Sequence, residues 1–597
     1  MTINLESLSA EEREKEITRL KERARVLRQQ AIANRDPFYG LQIDPSVSYY
    51  DEAPEREPGD TNWVGFGFDI HPQVTLVAAL LLLIFVGGTL LFQAQAESLF
   101  STILSNISST FGWFYILAAN IFILAMAYFA FSRYGNIRIG GPNALPEFSN
   151  FAWYAMLLSA GMGIGLMFWS VAEPIYHYAG PSPMFGAEPG TPEAAQAAFA
   201  TTYFHWGLHP WGIYALVSVG LAFFAYNRGL PLTIRSVFYP LLGDRIYGFW
   251  GNVIDILSVL ATLFGLATSL GLGVQQVAAG LNYLFATPTT TGFQVILIAV
   301  ITGFATMSVV AGLDGGVKRL SEWNIYLAAA LMIFVIIFGP TVFIMGAFTQ
   351  NLGYYIQQLP RMSMWAETFR SSDWQAGWTV FYWGWWISWS PFVGMFIARV
   401  SKGRTVREMI LGVMLLPTLL SFVWMSAFGG SAIWLQSTGV ADIAAAVNAD
   451  VATALFAMLE NFPFTAVSSF IGICLVVFFF VTSSDSGSLV VDHLTSGGKL
   501  DSPVPQRIFW AVMEGVVAAV LLIGGGLSAL QTASIATGLP FAIVLLLMIY
   551  SLGKGFGEEL YHLAVEEVKE IVRRTEQEER GVPALVPGAA AMPAADD

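Results

Sequence analysis

The 597-residue sequence predicts an all-α integral membrane protein with twelve transmembrane helices, and three observations carry that reading. Hydrophobic residues make up 55% of the chain and charged residues only 12%, against about a quarter charged in a typical soluble domain. The apolar residues come in runs of about 20, the length at which a helix crosses a hydrocarbon core of roughly 30 Å. The basic residues fall on alternate loops, as the positive-inside rule requires.

Hydropathy and breaker residues place the spans near 71–93, 111–132, 151–180, 195–226, 249–285, 292–312, 323–348, 374–400, 407–430, 464–484, 508–529 and 534–553. The third, fourth, fifth and eighth exceed the bilayer thickness, so they are expected to tilt, bend or break. With the N-terminus inside, the inner loops hold thirteen basic residues, among them Arg133, Arg138, Arg228, Arg235, Arg399, Lys402, Arg404 and Lys499. The outer loops hold only Arg361 and Arg370. This asymmetry puts both termini in the cytoplasm. Residues 1–70 read as a charged helix to about residue 35 followed by a linker, and 554–597 as a cytoplasmic tail ending in an Ala/Pro segment. The helix has a capping box in Ser9 and Glu12; it is either solvated or a docking surface for a neighbouring subunit. Residues 349–373, with Tyr354, Tyr355, Met362, Met364 and Trp365 among polar neighbours, read as an outer interfacial helix.

Several functions are excluded. A net charge of −14 argues against nucleic acid as a partner. The one cysteine, Cys474, sits in an apolar run, so there is no disulfide framework or thiol metal site. No P-loop, zinc spacing or nucleophile elbow suggests ATP coupling or an enzyme. The first 70 residues carry no signal-peptide core, so the N-terminus is expected to stay uncleaved.

Two spans carry interruptions at matching places. Span three contains Gly161-Met162-Gly163-Ile164-Gly165, and span eight contains Trp385, Trp386 and Trp389 before Pro391. Each opens a group of five spans, and an odd repeat gives the two groups opposite orientations. Such paired breaks point to the binding site of an inverted-repeat transporter. The three glycines also allow backbone to meet a ligand, although Gly161 and Gly165 equally fit close helix packing.

The tryptophans are the sharpest chemical signal. Span four carries Trp206, Trp211 and Tyr214, with the last two one turn apart on one face. A quaternary ammonium cannot donate hydrogen bonds, so a site must hold it by aromatic faces, each contributing on the order of 0.5–2 kcal/mol. A lone tryptophan would more ordinarily face lipid or the interface; two mid-span clusters beside helix breakers favour a site. At the end of span ten, Thr482 and Ser483 suit a hard cation such as Na⁺, or simply bond the preceding turn. Of the acidic residues within spans, Glu173, Asp255 and Glu514, the first could be a proton or substrate group or a helix cap.

The stretches SAGMGIGLMFWSVAEP (159–174), FHWGLHPWGIY (204–214), SLGLGVQQVAAGL (269–281) and FYWGWWISWSPFVGMFIARVSKGRT (381–405) strongly resemble the betaine/choline/carnitine transporter family, over about 60–555. The resemblance implies a neurotransmitter-symporter-like core of two inverted five-helix repeats, spans three to seven (151–348) and eight to twelve (374–553). Two extra helices (71–150) precede them. It also implies a homotrimer in the bacterial inner membrane, surrounded by lipid. Trp206, Trp211, Tyr214 and Trp386 would form the ammonium box, with Trp385 and Trp389 on the neighbouring path. Gly161, Met162, Gly163 and Gly165 would face the substrate carboxylate. A sodium ion would take carbonyls of Ser159 and Met162 and hydroxyls of Thr482 and Ser483, beside Phe479. A second sodium would draw on Thr262 and Phe392, but Leu266 stands where a second hydroxyl is expected. Gly165 is the form associated with zwitterions; an acidic residue there would suggest choline.

The expected function is sodium-coupled import of glycine betaine without any cofactor. The alternatives are proton-coupled choline import, import of dimethylsulfoniopropionate, ectoine or carnitine, and, from another class, a non-transporting osmosensor.

Overall fold

The computed structural model describes residues 57–161, 163–311, 318–369 and 372–579. The expected N-terminal helix, Met162, Arg370 and the Ala/Pro terminus lie outside them. A two-stranded antiparallel ribbon, β1 (Trp63–Gly65) and β2 (Phe68–Ile70), leads into the helices. Lys499 holds it through Asp69 at 2.6 Å, and Asn62 donates to the Ser496 carbonyl at 2.9 Å. His71 then caps α1 (Pro72–Leu91), its Nδ1 accepting from the Val74 N–H, with Pro72 at the first turn. Burial and the Arg235 charge push the His71 imidazole down to about 4, which leaves Nδ1 free to accept at neutral pH.

After α1 come α2 (Gln93–Phe131), α3 (Asn150–Gly161) and α4 (Ile164–Ala179). The chain bends by 60° between α3 and α4, at the glycine run the sequence marks as a break. Next are α5 (Pro192–Trp206) and α6 (Leu208–Tyr226), separated at Gly207. Pro210 explains that break: it has no N–H for the Trp206 carbonyl one turn back. Then follow α7 (Phe249–Phe285), α8 (Thr291–Ala311), α9 (Lys318–Phe338) and α10 (Thr341–Met364). Gly339 and Pro340 divide α9 from α10, so the helix expected over 349–373 begins earlier, at Thr341, and ends at Met364.

The remaining long helices are α11 (Thr379–Val400), α12 (Val406–Ser437), α13 (Thr465–Thr495) and α14 (Val504–Glu579). Against the interruption the sequence suggests, α11 runs through Pro391 as one helix. Ser390 Oγ donates to the Ile387 carbonyl at 2.7 Å, satisfying the group that the proline leaves without an N–H. A capping box starts α12, where Thr405 and Glu408 each bond the other's backbone N–H. Within α14, Gly525 and Gly526 leave helical geometry, Gly526 at φ 57° and ψ −132°, so the element is two helices joined at a kink.

Nine helices among the described residues are long and apolar enough to cross a membrane, or ten when the bent pair α3–α4 is one span. The 22-residue α11 is not among the nine, because its tryptophans and serines dilute its apolar average. In α1, Leu80, Leu83, Ile84 and Leu91 remain exposed, the surface of a helix solvated by hydrocarbon. Inside, α14 packs on α7 and α2, and α11 on α6 and α7. The break at Gly207 lies where α5, α6 and α11 meet, with Trp206 of α5 packed on Trp386 of α11.

Candidate substrate and ion site

Trp206 ends α5, Trp211 and Tyr214 follow the break on α6, and Trp386 comes from α11. These four line one cavity, together with Gly163, Gly165, Pro210, Trp389 and Ser421. The rings meet edge to face: Trp206 to Trp386 at 4.9 Å and 73°, Trp211 to Tyr214 at 5.3 Å and 80°, Tyr214 to Trp386 at 6.4 Å and 81°. This geometry presents several π faces to one volume, which suits a bulky cation unable to donate hydrogen bonds. Without the Gly207 break, Trp206 would lie elsewhere around the helix from Trp211.

Trp385 stands differently from the expected path residue. It is fully buried, stacks on Trp386 at 4.7 Å and 12°, and is absent from the lining of that cavity. It presses on Gly165, where an added Cβ would come within 2.6 Å of its ring. Gly165 thus has a packing reason to be glycine besides any contact with substrate. Gly165→Ala is expected to displace Trp385 and Trp206 and raise the KM for uptake about tenfold; an unchanged KM would show that the rings can yield.

Ser159, Phe479, Thr482 and Ser483 line a second cavity with Ser321, Asn324, Phe392 and others. It shares Ala160 and Trp389 with the aromatic cavity, so the two are adjacent. Thr482 Oγ1 donates to the Phe478 carbonyl at 2.8 Å and lies 3.2 Å from Asn324 Nδ2, its hydrogen-bond donor. The Asn324 carbonyl oxygen is buried without a partner among the described residues. It is a free hard oxygen beside the expected ion ligands, and the sequence pattern gave no reason to choose it.

The expected second pair is not assembled in the same way. Phe392 lines the second cavity, but Thr262 turns its hydroxyl back to the Ser258 carbonyl at 2.7 Å. Leu266 fills the space against Gly487, where a Cβ would meet its methyl at 2.3 Å. Thr268 faces α14, bonding the Leu530 carbonyl at 3.0 Å and the Ser534 hydroxyl at 2.8 Å.

Behind the box lies a fully buried carboxylate. Glu173 accepts from Trp206 Nε1 at 2.7 Å and Tyr382 Oη at 2.5 Å on one oxygen, and bonds His205 Nδ1 at 2.6 Å on the other. His177 Nε2 is 3.3 Å away. His205 in turn receives the Trp386 indole N–H on its carbonyl at 2.9 Å. Two box tryptophans are thus fixed through one acid and its histidine. The Glu173, His177 and His205 ligand atoms fall within 4.8 Å of one another, as in a metal site, but four hydrogen bonds already occupy the carboxylate. Glu173 is a positioning residue. A lone carboxylate inside a span signals a role, yet its partners 32 and 209 positions away show no spacing in sequence.

An apolar helical bundle with broken helices around an aromatic cavity is an arrangement suited to a membrane transporter. Residues 73–560 match the family described as BCCT, betaine/carnitine/choline family transporter, and the chain belongs to that family. It is 50% identical over 509 residues to the glycine betaine/proline/choline transporter of Vibrio parahaemolyticus, covering 83% of this chain and 91% of that one. It is 48% identical to glycine betaine transporter 1 of the same organism, over 84% and 96% of the two chains. The glycine betaine transporter of Acinetobacter baylyi is 46% identical, over 81% and 73%.

Proposed function

We propose that the protein imports glycine betaine or a closely similar zwitterion, driven by sodium, through alternating access. The observation that carries the substrate class is the convergence of Trp206, Trp211, Tyr214 and Trp386 on one cavity floored by Gly163 and Gly165. The rings hold the ammonium end, and the backbone around the glycines meets the carboxylate. Glycine betaine is named for the three relatives above, and this is the step taken from them to this chain.

In the same reading the chain has twelve spans, with α11 and the two parts of α14 counted separately. They form inverted repeats over 151–348 and 374–553 behind the two helices of 71–150. Both termini face the cytoplasm of a bacterial inner-membrane protein that assembles as a homotrimer. One sodium binds among Ser159, Met162, Thr482 and Ser483 beside Phe479. Support for it is the cavity that gathers four of these five next to the box. The packed Leu266, where a second hydroxyl is expected, favours a single sodium over two.

Purified protein in liposomes is expected to accumulate labelled betaine only under an inward sodium gradient. Equal uptake with potassium replacing sodium on both sides at neutral pH would remove sodium from the mechanism. Choline, carnitine, dimethylsulfoniopropionate and ectoine, added as competitors, rank the substrates.

A further inference from the structure

The ribbon that precedes α1 turns apolar side chains outward. It reads Trp63-Val64-Gly65-Phe66-Gly67-Phe68, with Trp63 46% exposed, Val64 72% and Phe66 96%. Phe66 and Gly67 form its tip, at φ 51° and 81°. A two-residue hairpin turn takes positive φ at both positions, and Asn, Asp or Gly ordinarily fills the first. Phenylalanine has no side-chain hydrogen bond to offer the turn, and its bulk is disfavoured in that region. An aromatic ring is thus held outward where a polar residue would make the turn more easily.

The two faces of the ribbon differ. On one, the Asp69 carboxylate accepts from Lys499 and Asn62 and lies against the polar loop between α13 and α14. Trp63 and Phe68 share the other, as their pairing with Ile70 and Gly65 requires. Phe66 lies 6.2 Å from Trp63, and Phe68 meets Phe509 of α14 edge to face at 6.3 Å. Gly67 sits on Pro505, where an added Cβ would come within 3.1 Å of the proline ring. Pro505, Phe509 and the exposed Val512 recur at helical spacing, on the outward face of the first two turns of α14.

Neighbouring helices fix the depth of this aromatic group. Ile70, the partner of Trp63, stands two residues before the first turn of α1, whose Leu76 and Leu80 are exposed. Asn252 of α7 donates to Gln73 of α1, so the first turns of these helices are level. At that level Phe249 and Trp250 of α7 are exposed too. Aromatic residues at span ends mark the boundary between hydrocarbon and water. The ribbon's rings lie in that belt and continue the lipid-facing surface of α1 and α14.

We propose that the β1–β2 ribbon is a lipid-contacting element, with Phe66 and Trp63 seated in the bilayer interface beside α14. Its occupant is lipid of the protein's own membrane, since the exposed rings run on from surfaces already solvated by hydrocarbon. The Lys499 and Asn62 bonds hold the ribbon in place before any lipid arrives. Through Asp69 and Lys499 the contact is tied to the loop between α13 and α14. Its placement in the inner leaflet rests on the topology proposed above; the lipid contact does not.

Cys474 is the one cysteine of the chain, so Cys474→Ser gives a background for single labels. The full chain carrying Phe66→Cys, labelled with an environment-sensitive fluorophore, is placed in phosphatidylglycerol-containing nanodiscs. Its emission is expected to be blue-shifted from that of the same label at Asp60→Cys, an exposed position of the same strap. Lipid with a nitroxide high on its acyl chain should quench the label at 66, and aqueous iodide should quench the label at 60. Trp63→Cys, on the same face, gives a second reading should Phe66→Cys fail to fold. A label at 66 or 63 that iodide quenches as fully as the one at 60 overturns the proposal. One that neither agent quenches is covered by protein, either residues 1–56 or a second copy, and overturns it as well. In intact cells an impermeant maleimide should leave Asp60→Cys unmodified. Modification there would overturn the cytoplasmic placement alone, because the nanodisc result decides the lipid contact independently.

Discussion

Trp386→Leu is expected to abolish measurable uptake of labelled glycine betaine while the purified protein keeps its elution volume. The ring edges on Trp206 and Tyr214, stacks on Trp385, and donates its indole N–H to the His205 carbonyl. Leucine fills part of the space but offers no π face and leaves that buried carbonyl without its donor. Losing the face costs about 0.5–2 kcal/mol of cation–π energy, up to on the order of 30-fold in affinity. Losing the buried hydrogen bond costs about 1–3 kcal/mol of stability and loosens the wall at His205. Because α11 also packs on α6 and α7 along its length, the variant is expected to fold. Native uptake by the variant would exclude Trp386 from the substrate wall.

Glu173→Ala is expected to act on folding as well as on transport. The substitution strips the Trp206 indole, the Tyr382 hydroxyl and His205 of one shared acceptor in a site closed to water. Each stranded donor costs about 1–3 kcal/mol, so the total rivals the about 5–15 kcal/mol margin of a folded domain. The detergent-solubilised variant should melt on the order of 10 °C lower than the native protein. Glu173→Gln keeps the shape and one acceptor oxygen, so it should fold and show a raised KM with a smaller change in kcat. If the alanine variant melts and transports normally, the carboxylate does not position the tryptophans.

How much of this was legible in the sequence depends on whether a signal was local. The glycine run at 161–165 and the tryptophans of 206–211 and 385–389 stand out within short windows, and Gly163, Gly165, Trp206, Trp211, Trp386 and Trp389 of them reach the cavity. The break at Gly207 had a local cause too, Pro210; the length of that span called for a bend or break, but not for its place. Pro391 shows the reverse: it reads as a breaker, yet the hydroxyl of Ser390 repairs the helix. The links from Glu173 to Tyr382 and from Asn324 to Thr482 join residues 209 and 158 apart, and no periodicity encodes such pairs. Trp385 and Trp386 are adjacent and chemically identical; only packing tells the ring behind the wall from the ring in it.

Trp389 belongs to both cavities, and that has a bearing on energetic efficiency. A carrier wastes its gradient whenever the ion crosses without cargo. Under the proposed sodium coupling, a barrier to such slippage would be this indole, held at 6.3 Å from Trp386 and 6.4 Å from Trp385 in a parallel stack. A bound cargo pressing on that stack would keep the indole in place, whereas an empty box would leave it free to swing. The tightness of the exchange ratio would then be a property of a single side-chain rotation, set by whether the neighbouring chamber is full.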